Sequence, residues 1–156
     1  MTFAAEKLEI TGQVEICAVL NTALAETTVA TMMAQNFHWN VTGMNFASLH
    51  QHFQEVYEDH FAGQDDLAER IKALGGHADG NLARMLERSS IAEPQGTSTP
   101  VDMIAALLSA EETLAATLKT SGALAADHGD TLTEDLCIAR GQTHEKFAWM
   151  LRAHLR

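Results

Sequence analysis

The sequence predicts an all-α fold, a four-helix bundle with one long crossover, and three observations carry that expectation. Apolar residues recur every three or four positions through most of the chain, with no comparable alternation of period two. Both prolines, Pro94 and Pro100, fall in the single stretch Glu93-Pro-Gln-Gly-Thr-Ser-Thr-Pro100, the one clear linker. The other interruptions of the pattern are short, and short connections make consecutive helices antiparallel neighbours.

The first helix carries Ile10, Val14, Cys17, Leu20 and Leu24 on one stripe and is expected to end near Asn40, before Val41-Thr-Gly-Met-Asn45. The second carries Leu49, Phe53, Val56, Leu67, Ile71 and Leu74. Asn45 or Ser48 is its expected cap, Ser48 with Gln51 as a capping box, and Gly75-Gly76 its end. Roughly 25 residues then lead from Gly75 to Thr99, enough to cross the bundle, with a short helix expected over 82–87. Thr99 as cap with Pro100 in the first turn opens the third long helix, whose stripe is Ile104, Leu107, Leu114 and Leu118. After Asp127-His-Gly-Asp130 the last helix follows, with Leu132, Leu136, Ala139, Thr143, Phe147 and Met150 as its expected stripe.

A chain of 156 residues is the size of one domain, and residues 1–156 are taken as one. It lacks an unbroken run of about 18 apolar residues and begins without a charged-then-apolar leader, which points to a cytoplasmic protein without a membrane span. Cys17 and Cys137 lie in apolar stretches far apart, as buried thiols do in a reducing compartment. The formal net charge of −11 disfavours attraction to nucleic acid and suits attraction of cations. Lys7 is the only Lys or Arg before Arg70, so no basic N-terminal arm exists to hold DNA.

The second helix has a face that composition does not explain as core. With Leu49 at zero and 100° per residue, Leu49, Phe53, Val56 and Leu67 fall within about 60° of one another. His50, Gln54, Asp65 and Glu69 fall on the opposite side. A solvated polar face is the plain alternative, but Phe61 and Ala68 lie in its middle, and an apolar residue flanked by His and carboxylates suggests a protein interface.

His and carboxylate together suit iron or another transition ion. Fifteen residues separate His50 from Asp65, about 22 Å along one helix, so the two cannot hold one ion in the same chain. If two copies of the helix cross antiparallel near residues 57 to 62, His50 and Gln54 of one face Asp65 and Glu69 of the other. An isologous contact of this kind carries two equivalent sites. His38, at the end of the first helix, can join His50 from the same chain. None of the eight histidines has Glu three positions before it, so a centre inside the bundle built on Glu-x-x-His pairs is not expected. His52, His60, His144 and His154 are expected to be structural or exposed, and His128 a turn residue.

The run Asn36-Phe-His-Trp-Asn-Val-Thr-Gly-Met-Asn-Phe-Ala-Ser-Leu-His50, followed by Tyr57, Asp65-Asp-Leu-Ala-Glu-Arg-Ile71 and Leu74-Gly-Gly76, closely resembles the Dps family of mini-ferritins. His144-Glu-Lys-Phe-Ala-Trp-Met-Leu-Arg-Ala153 resembles the family's last helix, and the resemblance spans about residues 10 to 155. It implies a ferritin-like bundle assembled as a hollow dodecamer that oxidises Fe(II), preferentially with hydrogen peroxide, stores ferric mineral and protects the cell from oxidative stress. It also implies that His38 and His50 are iron ligands from one subunit and Asp65 and Glu69 ligands from its twofold partner, with Trp39 beside them. Asp130 and Asp135 would line threefold entry pores, although both also suit a helix N-terminus. The chain departs from the family at Gln54, where Asp or Glu is usual, and an amide offers a carbonyl oxygen without charge. Glu58 lies one turn further on. The competing function within the family is nucleoid compaction, which the charge distribution argues against.

Overall fold

The computed structural model describes residues 3–156, with side chains described from residue 11 onward; the side chain of Ile10 lies outside them. Five helices follow in order: α1 (Phe3–Asn40), α2 (Phe46–Ala73), α3 (Leu82–Arg88), α4 (Pro100–Asp127) and α5 (Thr131–Ala153). α1 packs along α2 and α4 along α5, the two pairs meet through α1 with α4 and α2 with α5, and α3 lies on α1. This is the expected four-helix bundle, with α3 as the short helix of the crossover.

The helix ends follow from local chemistry. α2 stops because Gly75 turns to φ +82°, the left-handed region, and the Gly76 amide returns to the Ile71 carbonyl at 2.9 Å. A side chain on Gly76 would meet Cys17 Sγ at 2.6 Å, so a glycine there lets the crossover touch α1. α4 opens on a reciprocal capping box between Thr99 and Asp102 with Pro100 in its first turn, and Asp130 caps α5 by accepting from the Thr133 amide. The crossover is tied down by Asn21, which donates to the His77 carbonyl and accepts from the Asp79 amide, both at 2.9 Å.

Three expectations are corrected. Ser48 and Gln51 form no capping box: α2 starts at Phe46 after Asn45, Ser48 already lies in the first turn and bonds back to the Asn45 carbonyl, and Gln51 bonds Glu55. Val14 is exposed although it falls on the α1 stripe. The buried face of α5 is also rotated from the expected one. Leu132 is 69% exposed, whereas Thr133, Cys137, Arg140, His144, Phe147, Ala148 and Leu151 face inward.

That rotation reflects a polar layer across the core. One apolar cluster gathers Met33, Phe37, Leu49, Phe53, Leu107 and Leu151 at one end of the bundle. A second gathers Ile16, Leu20, Leu67, Ile71, Leu118 and Cys137 at the other. Between them in sequence on their helices lie Thr27, His60, Arg140 and His144, all buried. α1 is long and apolar enough to span a membrane by composition, but 67% of its most apolar window is buried in the bundle, where it supplies core.

Candidate metal centre

His38 ends α1 and His50 lies in the second turn of α2, so the short connection between the helices brings them together. Their rings stack with centroids 3.7 Å apart and planes 17° apart. Each ring reaches the other residue's backbone: His38 Nδ1 lies 2.7 Å from the His50 carbonyl oxygen, and His50 Nδ1 lies 2.7 Å from that of His38. A carbonyl only accepts, so both Nδ1 atoms carry hydrogen, and in the neutral rings both Nε2 atoms keep a lone pair. The backbone thus sets the tautomer a metal-binding histidine needs, the usual task of a carbonyl behind such a ligand. Tyr57 packs edge-on against His38 and Phe46 stacks on His50, which holds the rings further.

The acidic pair is placed differently. α2 is one unbroken helix from Phe46 to Ala73, so the separation of about 22 Å between His50 and Asp65 stands. Asp65 and Glu69 are exposed, and Asp65 borders a surface groove with Phe61, Ala68, Gly80 and Met85. Phe61 is 73% exposed among these polar neighbours. The Gln54 amide nitrogen donates to Glu58 Oε1 at 2.7 Å, which leaves the amide oxygen as the group Gln54 can offer to a metal. Trp39 is exposed beside His38.

At the start of α5, Asp130 is partly buried, caps the helix and pairs with Arg70 at 2.8 Å. Burial alone would raise its carboxyl, but the Thr133 and Arg70 contacts outweigh burial and hold it low. Asp135 is exposed. His128 caps the end of α4 and lies 3.1 Å from Glu15.

A second group escaped the sequence pattern. His60 of α2, Glu111 of α4 and His144 of α5 are each fully buried, and their potential ligand atoms all lie within 4.8 Å of one another, so the group could hold a metal. Glu111 presents Oε1 to His60 Nε2 at 2.9 Å and Oε2 to His144 Nδ1 at 2.7 Å. Burial would raise the Glu111 carboxyl, yet the two imidazoles outweigh it and push its pKa down to about 2. Burial lowers the His144 imidazole. Arg140 holds Asp59 through two hydrogen bonds, at 3.2 and 2.7 Å, and donates to His144 Nε2 at 3.3 Å. Its guanidinium fits because Gly63 stands opposite, where a Cβ would lie 2.7 Å away. Of the structural or exposed places expected for them, His60 and His144 take the buried one, and one carboxylate joins them. Glu-x-x-His spacing within one helix does not mark a group drawn from three helices. The signal was the missing stripe member between Leu107 and Leu114, where Glu111 occupies a core register.

Residues 17–156 match the Ferritin-like domain family. The chain is 36% identical to DNA protection during starvation protein 2 of Bacillus anthracis and 35% identical to general stress protein 20U of Bacillus subtilis, each over 90% of this chain and 97% of the relative. Its fold superposes on the crystal structure of Dps from Staphylococcus aureus with a TM-score of 0.89 and 34% identity, covering 92% of this chain and 97% of that one. The chain belongs to the Dps family. Dps from Thermosynechococcus elongatus shares the fold at a TM-score of 0.91 and 28% identity over 95% of this chain. The all-α ferritin-like bundle with a short crossover helix is thus the Dps fold, and the stacked His38 and His50 pair stands at its α1–α2 corner.

Proposed function

We propose that this Dps-family chain is a ferroxidase mini-ferritin, oxidising Fe(II) with hydrogen peroxide at sites shared between twofold-related subunits of a hollow dodecamer. The observation that carries the reading is the reciprocal bonding of His38 and His50, which places hydrogen on both Nδ1 atoms and so makes Nε2 the ligating nitrogen of each ring. Two exposed carboxylates, Asp65 and Glu69, lie further along the same face of α2, with the exposed Phe61 between the two sets. A second copy crossing antiparallel at Phe61 would bring each carboxylate pair to the other chain's histidines.

Iron is the substrate here. Two Fe(II) ions each give one electron, the O–O bond of peroxide breaks, and two protons complete two waters, so no hydroxyl radical is released. Imidazole ligands suit the incoming ferrous ion, and carboxylates stabilise the ferric product. The product ions then pass to mineral within the shell. The acidic balance, net charge −11, supports cation uptake over a DNA-compacting role.

Stopped-flow oxidation of Fe(II) by peroxide tests the proposal. Two iron ions should be consumed per peroxide, and the His50→Ala, Asp65→Ala double variant should be slower by at least roughly a hundredfold, since loss of a hydrogen-bonding partner behind a ligand alone costs about 10–100-fold. Equal rates for variant and parent would remove the shared-site mechanism.

A further inference from the structure

Apolar clusters fill both ends of this bundle, and His60, Glu111 and His144 are fully buried together in its interior, Glu111 beside Ala110 and Leu114 of the first cluster. We propose that these three residues form a second metal site, inside a single chain, for one divalent first-row transition ion such as Zn(II) or Fe(II), and that Arg140 opposes its filling. The proposal does not rest on the shared site at His38 and His50.

The geometry is that of ligands around one point. His60 Nε2 approaches Glu111 Oε1 to 2.9 Å, yet neither atom has a hydrogen-bond partner, so the approach is close but misaligned for a shared proton. Two ligands each about 2.0–2.2 Å from a tetrahedral ion lie about 3.3–3.6 Å apart, so filling the site would spread this close pair slightly. Both oxygens of Glu111 face an imidazole, and the three residues come from three different helices, so the bundle itself fixes their separation.

Charge and donor type narrow the occupant. Asp59 already answers Arg140 with two hydrogen bonds, whereas among the described residues the only ion-pair partners of Glu111 are the two imidazoles. A dication held between the carboxylate and the two rings would supply the full charge that Glu111 otherwise draws only from those imidazoles. Two imidazole nitrogens and one carboxylate oxygen favour a first-row transition ion over calcium or magnesium, which prefer oxygen.

Arg140 acts in the other direction. It donates to His144 Nε2, so in the neutral ring the proton sits on Nδ1, facing Glu111. Ligation through Nδ1 moves that proton to Nε2, where it points at the guanidinium and cannot be accepted. Filling the site therefore breaks the 3.3 Å contact between Arg140 and His144, the longest in the network, while Arg140 retains Asp59.

The test uses full-length protein carrying His50→Ala and Asp65→Ala, which removes the shared site, stripped with a chelator and dialysed against Zn(II). About one Zn(II) per chain should bind and raise the melting temperature, as a ligand of the folded state does. Adding Glu111→Gln or, separately, His60→Gln should abolish both effects, with circular dichroism establishing that each variant is folded. Adding Arg140→Gln with Asp59→Asn, which keeps the charge balance, should tighten binding several-fold. No bound Zn(II) in the folded starting variant, or undiminished binding in both folded ligand variants, would overturn the site. Unchanged affinity in the Arg140 and Asp59 pair would overturn the opposing role of Arg140.

Discussion

At the scale of single residues, Gln54 is where the proposed ferroxidase site has one acid fewer than the family pattern. Its amide nitrogen is held by Glu58 at 2.7 Å, which leaves an uncharged oxygen as the group it could offer to iron. Gln54→Glu should tighten the second Fe(II) by about tenfold, equivalent to ~1.4 kcal/mol, measured by anaerobic Fe(II) titration. The same change converts the hydrogen bond into two carboxylates four positions apart, which destabilises a helix by about 0.2–0.5 kcal/mol. Metal affinity should rise while the metal-free melting temperature slips slightly; a variant with unchanged iron affinity would show that position 54 lies outside the site. The buried layer sets a second residue-scale expectation. Glu111 has its folded pKa depressed from 4.5 to about 2, so its contribution is present above the unfolded value and is lost as pH falls from 4.5 towards 2. Read as linkage, that shift is at most about 3 kcal/mol, shared among Glu111 and its two imidazoles. His144 is also lowered, so the unfolded chain takes up its proton first, and this contribution fades as pH falls below 6.5. Stability should therefore decline in two stages on acidification, and Glu111→Gln should flatten the lower stage in urea melts taken between pH 6 and pH 3.

At the scale of elements, the meeting of α2 and α5 depends on a glycine inside a helix. Gly63→Ala gains about 1 kcal/mol of helix propensity, but the new Cβ would lie 2.7 Å from the Arg140 guanidinium. Overpacking costs about 1–3 kcal/mol, and displacing Arg140 also strains its two bonds to Asp59. The net effect expected is destabilisation, seen as a lower urea midpoint, and a raised midpoint would mean that Arg140 swings clear without loss. The same contact shows how far the sequence alone could be taken. The ends of α1, α2 and α4 were legible because Gly43, Gly75, Thr99, Pro100 and Gly129 mark them, residues whose backbone chemistry acts locally. The face of α5 was not, because its inward stripe runs through Arg140 and His144, while Leu132, on the apparent apolar stripe, is exposed. Hydrophobic periodicity misplaces any helix whose buried face is polar at its centre. The pairing of His38 with His50 could be expected from the short turn between them, but their shared tautomer rests on two backbone contacts that only coordinates supply. His60, Glu111 and His144 lay further out of reach, since their proximity is set by the packing of three helices.

At the scale of the whole molecule, the decisive residue is Phe61. It is 73% exposed on the outer face of α2, between the histidine end and the carboxylate end of the proposed shared site, and it borders the groove that Asp65, Ala68 and Met85 also line. Burying a Phe side chain at an interface contributes about 1.5–3 kcal/mol per copy, and a twofold contact counts it twice. Phe61→Asp removes that contribution and adds charge near Glu58 and Asp65, while the bundle core, which Phe61 does not enter, keeps its packing. The variant should retain helical circular dichroism and melt cooperatively, yet elute in size-exclusion chromatography well below the parent assembly. Its peroxide-driven Fe(II) oxidation should fall together with assembly, because His38 and His50 would then lack the partner's carboxylates. The joint loss is the informative result. An assembled variant would remove Phe61 from the interface, and a dissociated variant that oxidised iron at the parent rate would show that one chain suffices.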